Sequence, residues 1–223
     1  MSTIEDSIQR IRERIAGACA RVGRSESDVR LVGVTKRVDV DRIRLAASLG
    51  IRDFGENYIQ EAMKKIEGFG GDVSWHMIGH IQSNKLKYMP ALFSYIHSVD
   101  RWEIIQGLEG YGKPMKFLFE LNLSGEASKH GTQEDNLRRM VEKVHTLRCM
   151  EPVGLMTMPP YVDDPEEVRG IFRSLREILD RVNREFSLNM GELSMGMSSD
   201  FEVAIEEGAT MVRIGTAIFG ERQ

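Results

Sequence analysis

Lys36 stands directly after the apolar run Leu31-Val32-Gly33-Val34-Thr35. Desolvation at the end of a buried strand favours the neutral, nucleophilic form of an amine. Such an amine condenses with an aldehyde to give a Schiff base. A snorkelling lysine occupies the same kind of position, so Lys36 alone decides nothing.

Two segments near the other end of the chain bear on the choice. Ser198 and Ser199 precede Phe201-Glu202-Val203-Ala204-Ile205, and the spacing of Ser199 and Glu202 predicts a capping box. Gly215-Thr216 opens a second short helical turn. Small residues with free N–H groups at two adjacent helix starts suit a phosphate. Plain helix capping accounts for Ser199 but not for the Gly-Thr pair. Arg213 lies two residues before Gly215, so strand alternation puts both on one face. A buried arginine needs an acceptor. A ring nitrogen would serve, and so would an ion pair with Glu192 or Glu120. A lysine, a phosphate cradle and an inward arginine are together the parts of a pyridoxal phosphate site.

These residues have to be positioned by the elements around them. Thr3 or Ser2 can cap a first helix, whose stripe Ile4, Ile8, Ile11, Ile15, Cys19 and Val22 has helical spacing. Gly23 can end it. Beyond it, short β-branched runs alternate with amphipathic stretches. Strands are expected at 31–35, 53–55, 74–78, 95–99, 116–123, 152–156, 192–197 and 211–214, with helices over 41–49 and 165–186 the clearest of those between them. Eight β-α units predict a single (β/α)8 TIM barrel with an extra N-terminal helix, residues 1–223 forming one domain. A doubly wound open sheet is the alternative, because periodicity does not reveal closure. In a barrel, function gathers at the C-terminal strand ends. Those ends carry Lys36, Asn57, the run His76 to His80, Asn122, Met156 to Met158, Ser198, and Arg213 to Thr216.

The 223 residues are 41% hydrophobic and 29% charged, enough apolar material for a sizeable core and against disorder. A net charge of −4 gives no general attraction to nucleic acid or to anionic membrane. No apolar run approaches the roughly 20 residues of a membrane span. The first residues lack a signal-peptide core. Cys19 and Cys149 lie far apart without a metal-binding pattern, as free thiols in a reducing compartment do. The expectation is a cytoplasmic protein.

Longer motifs resemble a known family. Val34-Thr35-Lys36, Gly55-Glu56-Asn57-Tyr58 and the run Trp75 to Lys85 are similar to blocks of the pyridoxal phosphate homeostasis proteins, the YggS-like family. So are Gly154 to Met158, Leu193 to Ser198 and Val212 to Gly220. The resemblance implies a barrel like the alanine racemase N-terminal domain, with pyridoxal 5′-phosphate held as a Schiff base on Lys36. It further implies Arg213 near the pyridine nitrogen, Asn57 near the ring, and phosphate on Ser198, Gly215 and Thr216. The chain departs from the usual pattern at Arg37-Val38-Asp39, which replaces a proline-containing stretch, and at Thr35, where serine is frequent.

An arginine at the pyridine nitrogen keeps that nitrogen unprotonated and weakens the ring as an electron sink. Racemases of this type add a tyrosine base from a second domain, and none is expected in a chain ending at Gln223. Tyr58 and Tyr161 lack a motif for that role and read as packing residues. The expectation is therefore a monomeric carrier that binds, buffers and delivers the cofactor, with no catalytic residue. Its partners would be pyridoxal phosphate and apo forms of the enzymes that use it, not nucleic acid or membrane. A small fold-type III racemase or lyase is the alternative, and a scaffold without cofactor a weaker third.

Other features read as bland. His76 and His80 flank a strand end and make a poor zinc pair, so no metal is expected. Lys85 and Lys87 belong to a helix as solvated charges. Met156, Met158, Met195 and Met197 suit packing around a flat ring or plain core filling. The loop 124–131 has a gate-like composition, and its Lys129 offers a second amine for relaying the cofactor.

Overall fold

The computed structural model describes residues 3–125 and 130–220. Its strands are β1 Arg30–Val34, β2 Asp53–Glu56, β3 Ser74–Met77, β4 Tyr95–Val99, β5 Met115–Leu121, β6 Met150–Thr157, β7 Glu192–Ser194 and β8 Met211–Ile214. Every neighbouring pair is parallel, and β8 pairs back onto β1. The sheet is a closed barrel in the order β1 to β8. Closure establishes the (β/α)8 fold and removes the open doubly wound sheet.

The helices are α1 Ile4–Arg21, α2 Val40–Ser48, α3 Ile59–Ile66, α4 Met89–Leu92, α5 Trp102–Glu109, α6 Glu134–Val141, α7 Arg169–Phe186, α8 Phe201–Glu206 and α9 Thr216–Phe219. In α1 the Thr3 hydroxyl accepts from the Asp6 amide at 3.1 Å while Asp6 accepts from the Thr3 amide at 3.0 Å. This capping box satisfies two otherwise orphaned N–H groups. Ile8, Ile11, Ile15, Ala18 and Cys19 are buried along one face. Val22 is not on that face. It leaves helical geometry as the C-cap and is 41% exposed, ahead of Gly23 at φ +67°. Asp39 caps α2 by accepting from Arg42 at 3.0 Å, so that helix begins before Asp41.

Two other boundaries differ from expectation for local reasons. The segment 165–186 is a 3-10 turn over Pro165–Val168, capped by Asp164, followed by α7. Strand β7 stops at Ser194, because Gly196 takes φ +91° and turns the chain.

Strand register divides the barrel residues into two sets. Gly33, Phe54, Trp75, Met77, Ile96, Phe117, Phe119, Leu155, Leu193, Val212 and Ile214 point outward, and all but Gly33 belong to the large apolar cluster under the helices. The opposite set faces the lumen. Register pairs in it include Val32 with Asp53, Val32 with Arg213, Gly55 with His76, His76 with Tyr95, Glu120 with Met156, Met156 with Ser194, and Ser194 with Met211. The apolar part of the lumen is small: Val32, Tyr95, Leu118, Met156 and Met211. Much of the rest is polar, where barrels of this type are usually filled by Val, Ile and Leu. Those polar groups lead to the site.

Candidate cofactor site at the C-terminal mouth of the barrel

Lys36 follows β1 in the turn after Thr35 and is half-buried. Its Nζ lies 4.9 Å from the centroid of the Tyr58 ring. Behind it, Thr35 turns away from the mouth and donates from Oγ1 to Glu56 Oε1 at 2.5 Å. The buried Lys65 of α3 donates to Glu56 Oε1 at 2.8 Å and to Glu61 Oε1 at 2.7 Å. Burial pushes the Glu56 carboxyl up from the usual carboxylate range, opposed by the bonds from Lys65 and Thr35. Glu56 Oε2 is buried without a hydrogen-bond partner among the described residues.

Asn57 continues β2, is half-buried, and lines a mouth cavity of about 440 Å³ together with Tyr58, His80, Glu120, His130 and Met158. Across the barrel Ser198 Oγ accepts from the Ala217 amide at 3.4 Å, which ties the turn after β7 to the first residues of α9. Gly215 packs against the end of β1. A Cβ there would stand 3.4 Å from the Cβ and carbonyl oxygen of Val34. Thr216 is exposed.

Arg213 is 4% exposed inside the lumen. Its NH1 donates to Ser194 Oγ at 2.5 Å and its NH2 to the Thr157 carbonyl oxygen at 3.0 Å. A guanidinium carries five N–H donors, so these two bonds leave capacity for a further acceptor. Burial pushes its pKa down to about 10 against the pull of Glu120 and Asp200, and the group stays charged. The alternative ion pair with Glu192 does not form, because Glu192 is held by Arg30 at 3.4 Å and by Thr210 at 2.6 Å. Glu120 acts on Arg213 through its field and not through a hydrogen bond.

Sequence reasoning missed several groups. Below Arg213, His97 Nδ1 lies 2.8 Å from Ser194 Oγ, and His97 Nε2 lies 2.8 Å from His76 Nδ1. His76 Nε2 meets Asp53 Oδ1 at 2.9 Å. Burial holds both histidines below the usual imidazole range, His97 strongly so, with His76 and Arg213 adding to the effect there. Glu120 was weighed only as a partner for Arg213. Burial, reinforced by Asp100, raises its carboxyl to about 7, with Arg213 opposing. The period-two placement of these polar residues on luminal strands was the available signal.

Several expectations need correction. The capping box of Ser199 with Glu202 is absent. Asp200 is the N-cap of α8 and turns back to accept from the Met197 amide at 2.6 Å, while Glu202 pairs with Arg14 at 2.7 Å. His76 and His80 diverge, His76 into the lumen and His80 to the mouth, where its ring stacks on His130 at 4.0 Å. Lys85 and Lys87 lie on a 3-10 turn, Ser83–Tyr88, and not on an α-helix. Tyr161 is 84% exposed. Lys129 lies outside the described residues.

Residues 7–223 match the family model of the alanine racemase N-terminal domain. A pyridoxal phosphate homeostasis protein of Aquifex aeolicus is 43% identical over 223 residues, covering 98% of each chain. The structure of PipY from Synechococcus elongatus PCC7942 with PLP bound superposes at TM-score 0.83 and 33% identity, over 92% of this chain and 100% of that one. An alanine racemase of Clostridium difficile 630 shares the fold at TM-score 0.76 and 15% identity, over 97% of this chain and 57% of that one. Fold and sequence similarity thus agree along nearly the whole chain, which belongs to the pyridoxal phosphate homeostasis proteins and matches the alanine racemase N-terminal domain.

Proposed function

We propose that this chain binds pyridoxal 5′-phosphate at the C-terminal mouth of the barrel and serves its homeostasis by holding, buffering and delivering it. The observation that carries the reading is convergence. Lys36, Asn57, Ser198, Arg213, Gly215 and Thr216 all stand at the ends of β1, β2, β7 and β8, four consecutive strands of the closed sheet. The donor set fits the group: an amine for the aldehyde, a buried guanidinium with unused donors for the ring nitrogen, and two tied turns for the phosphate. When bound, the cofactor supplies an electrophilic aldehyde and an electron-accepting ring. Lys36 is the covalent attachment point, Arg213 faces the ring nitrogen, Asn57 lies beside the ring, and Ser198, Gly215 and Thr216 hold phosphate.

Delivery without dedicated turnover is the favoured role. It is supported by relatives of matching length that carry the homeostasis name. The recipients would be apo forms of cofactor-dependent enzymes, with the chain acting as an intracellular monomer. Among the described residues no helix is long and apolar enough to cross a membrane. A racemase or lyase is the second reading, and Glu120 favours it as a buried mouth carboxyl able to move a proton near neutral pH. Borohydride reduction of the loaded protein followed by peptide mapping should place the pyridoxyl group on Lys36; an adduct solely on another lysine overturns the site. Stereospecific α-proton exchange of amino acids in deuterated water would favour the enzyme over the carrier.

A further inference from the structure

Four hydrogen bonds link Arg213 to the opposite end of the barrel. They run from Arg213 NH1 to Ser194 Oγ at 2.5 Å, to His97 Nδ1 at 2.8 Å, from His97 Nε2 to His76 Nδ1 at 2.8 Å, and from His76 Nε2 to Asp53 Oδ1 at 2.9 Å. Asp53 is the first residue of β2, at the barrel floor, and is partly exposed beside Arg30. His76, His97 and Ser194 are fully buried.

The ends of this chain dictate every proton between them. A carboxylate only accepts and a guanidinium only donates. Full burial favours the neutral form of both rings, against the pull of Asp53 at His76 and reinforced by His76, Arg213 and Arg30 at His97. His76 must then carry its proton on Nε2 to meet Asp53, which leaves Nδ1 as an acceptor. His97 must therefore donate from Nε2 and accept at Nδ1. Ser194 gives its one hydroxyl proton to that Nδ1 and turns a lone pair to Arg213. Reversing any link would set two donors or two acceptors face to face in a site closed to water, a costly defect.

We propose that Asp53 is a positioning residue for Arg213, holding the guanidinium for the ring nitrogen of pyridoxal phosphate through His76, His97 and Ser194. The proposal rests on the cofactor reading above. Without a fixed acceptor at position 53, His76 and His97 are free to exchange tautomers. In the form where His97 donates from Nδ1, the Ser194 proton loses its acceptor and the hydroxyl must rotate, so the lone pair that seats Arg213 is no longer fixed.

Asp53→Asn is the discriminating variant, since it keeps shape and hydrogen bonding but its amide satisfies either direction. Proton–nitrogen correlation spectra of the free wild-type chain at neutral pH should show the Nε2–H tautomer at both His76 and His97. In Asp53→Asn both should become mixtures, pyridoxal phosphate should bind about fivefold more weakly, and the absorption maximum of the bound cofactor should shift. Ser194→Ala should weaken binding at least as much, and Ser194→Thr should restore it. An Nδ1–H tautomer at wild-type His97 would overturn the proposal. So would Asp53→Asn with mixed tautomers but unchanged affinity and spectrum. A wild-type chain that takes up no pyridoxal phosphate would remove the cofactor reading and this inference with it; the tautomers, read without ligand, distinguish that failure from the others.

Discussion

Lys65 Nζ donates to the carbonyl oxygen of Thr35 at 2.5 Å, on the residue immediately before Lys36. The same ammonium binds Glu56 and Glu61, and Glu61 Oε1 also accepts from the Arg37 amide at 2.5 Å. The backbone on both sides of Lys36 is thus gripped by one buried ionic cluster. Arg37 sits at φ +59°, a left-handed conformation that non-glycine residues adopt only when held. The stretch after the lysine thus has its own physical support in Glu61 and Lys65.

Removing Lys65 should therefore loosen Lys36, the proposed attachment lysine, as well as the fold. Lys65→Met leaves the Glu56 carboxyl buried without its cation, which costs about 3 kcal/mol. A lowered denaturation midpoint, with less cofactor trapped by borohydride in the fraction still folded, is the expected outcome. Full trapping in the folded fraction would show that the cluster serves stability alone.

Lys36→Ala should stay folded, because the side chain is half-buried over Tyr58 and no buried acceptor depends on its ammonium. It should also lose the absorption band of covalently held cofactor. A circular dichroism spectrum and an absorption spectrum of one preparation check both halves.

Thr216→Val separates phosphate from ring recognition. If the α9 turn tied to Ser198 holds phosphate, the variant should lose affinity for pyridoxal phosphate by a few-fold to about tenfold while pyridoxal binding stays level. Equal losses for the two ligands would move the phosphate elsewhere.

The residues of the candidate site lie close in sequence to a strand end, which is how they were legible. Lys36, Asn57, Arg213 and Gly215 each follow or end an apolar run, and the barrel collects such positions at one mouth. The chain from Arg213 to Asp53 was not legible in the same way. It joins β2, β3, β4, β7 and β8, and only closure with a definite register brings Ser194 beside His97 across 97 residues. Lys65 escaped notice because its helical position reads as solvated, whereas α3 lays it against Glu56 under the sheet. The Ser199 capping signal failed because α8 begins one residue later, with Asp200 at the N-cap position and its carboxylate turned back to the Met197 amide instead of capping the helix.

Gly79 must be glycine for a reason of space. A Cβ there would come within 2.7 Å of the Asn57 Cα and closer still to its carbonyl oxygen. The turn after β3 is thereby packed directly on the backbone that carries Asn57, and the Gly79 carbonyl is held in turn by Ser98 Oγ at 2.6 Å. Gly79→Ala should displace Asn57, destabilise the chain by about 1–3 kcal/mol and weaken cofactor binding. A stability loss with unchanged cofactor affinity would remove Asn57 from the ring's surroundings.

Glu120 predicts an unusual dependence of stability on pH. Its carboxyl rises from 4.5 to about 7 on folding, through burial first and the nearby charge of Asp100 second, with Arg213 opposing. Between those two values the folded chain holds the proton more tightly than the unfolded one, so stability from this group falls as pH rises. Below about pH 4.5 both states are protonated and no penalty exists; above about pH 7 the whole penalty is present, on the order of 3 kcal/mol. Glu120→Gln abolishes the titration while keeping the size of the side chain. Urea denaturation should therefore show the variant gaining stability over wild type at about pH 8, with the gain shrinking toward zero at about pH 4.5. A gain of equal size at both pH values would mean that Glu120 does not ionise against the fold, and would withdraw it as a group able to move a proton at the mouth.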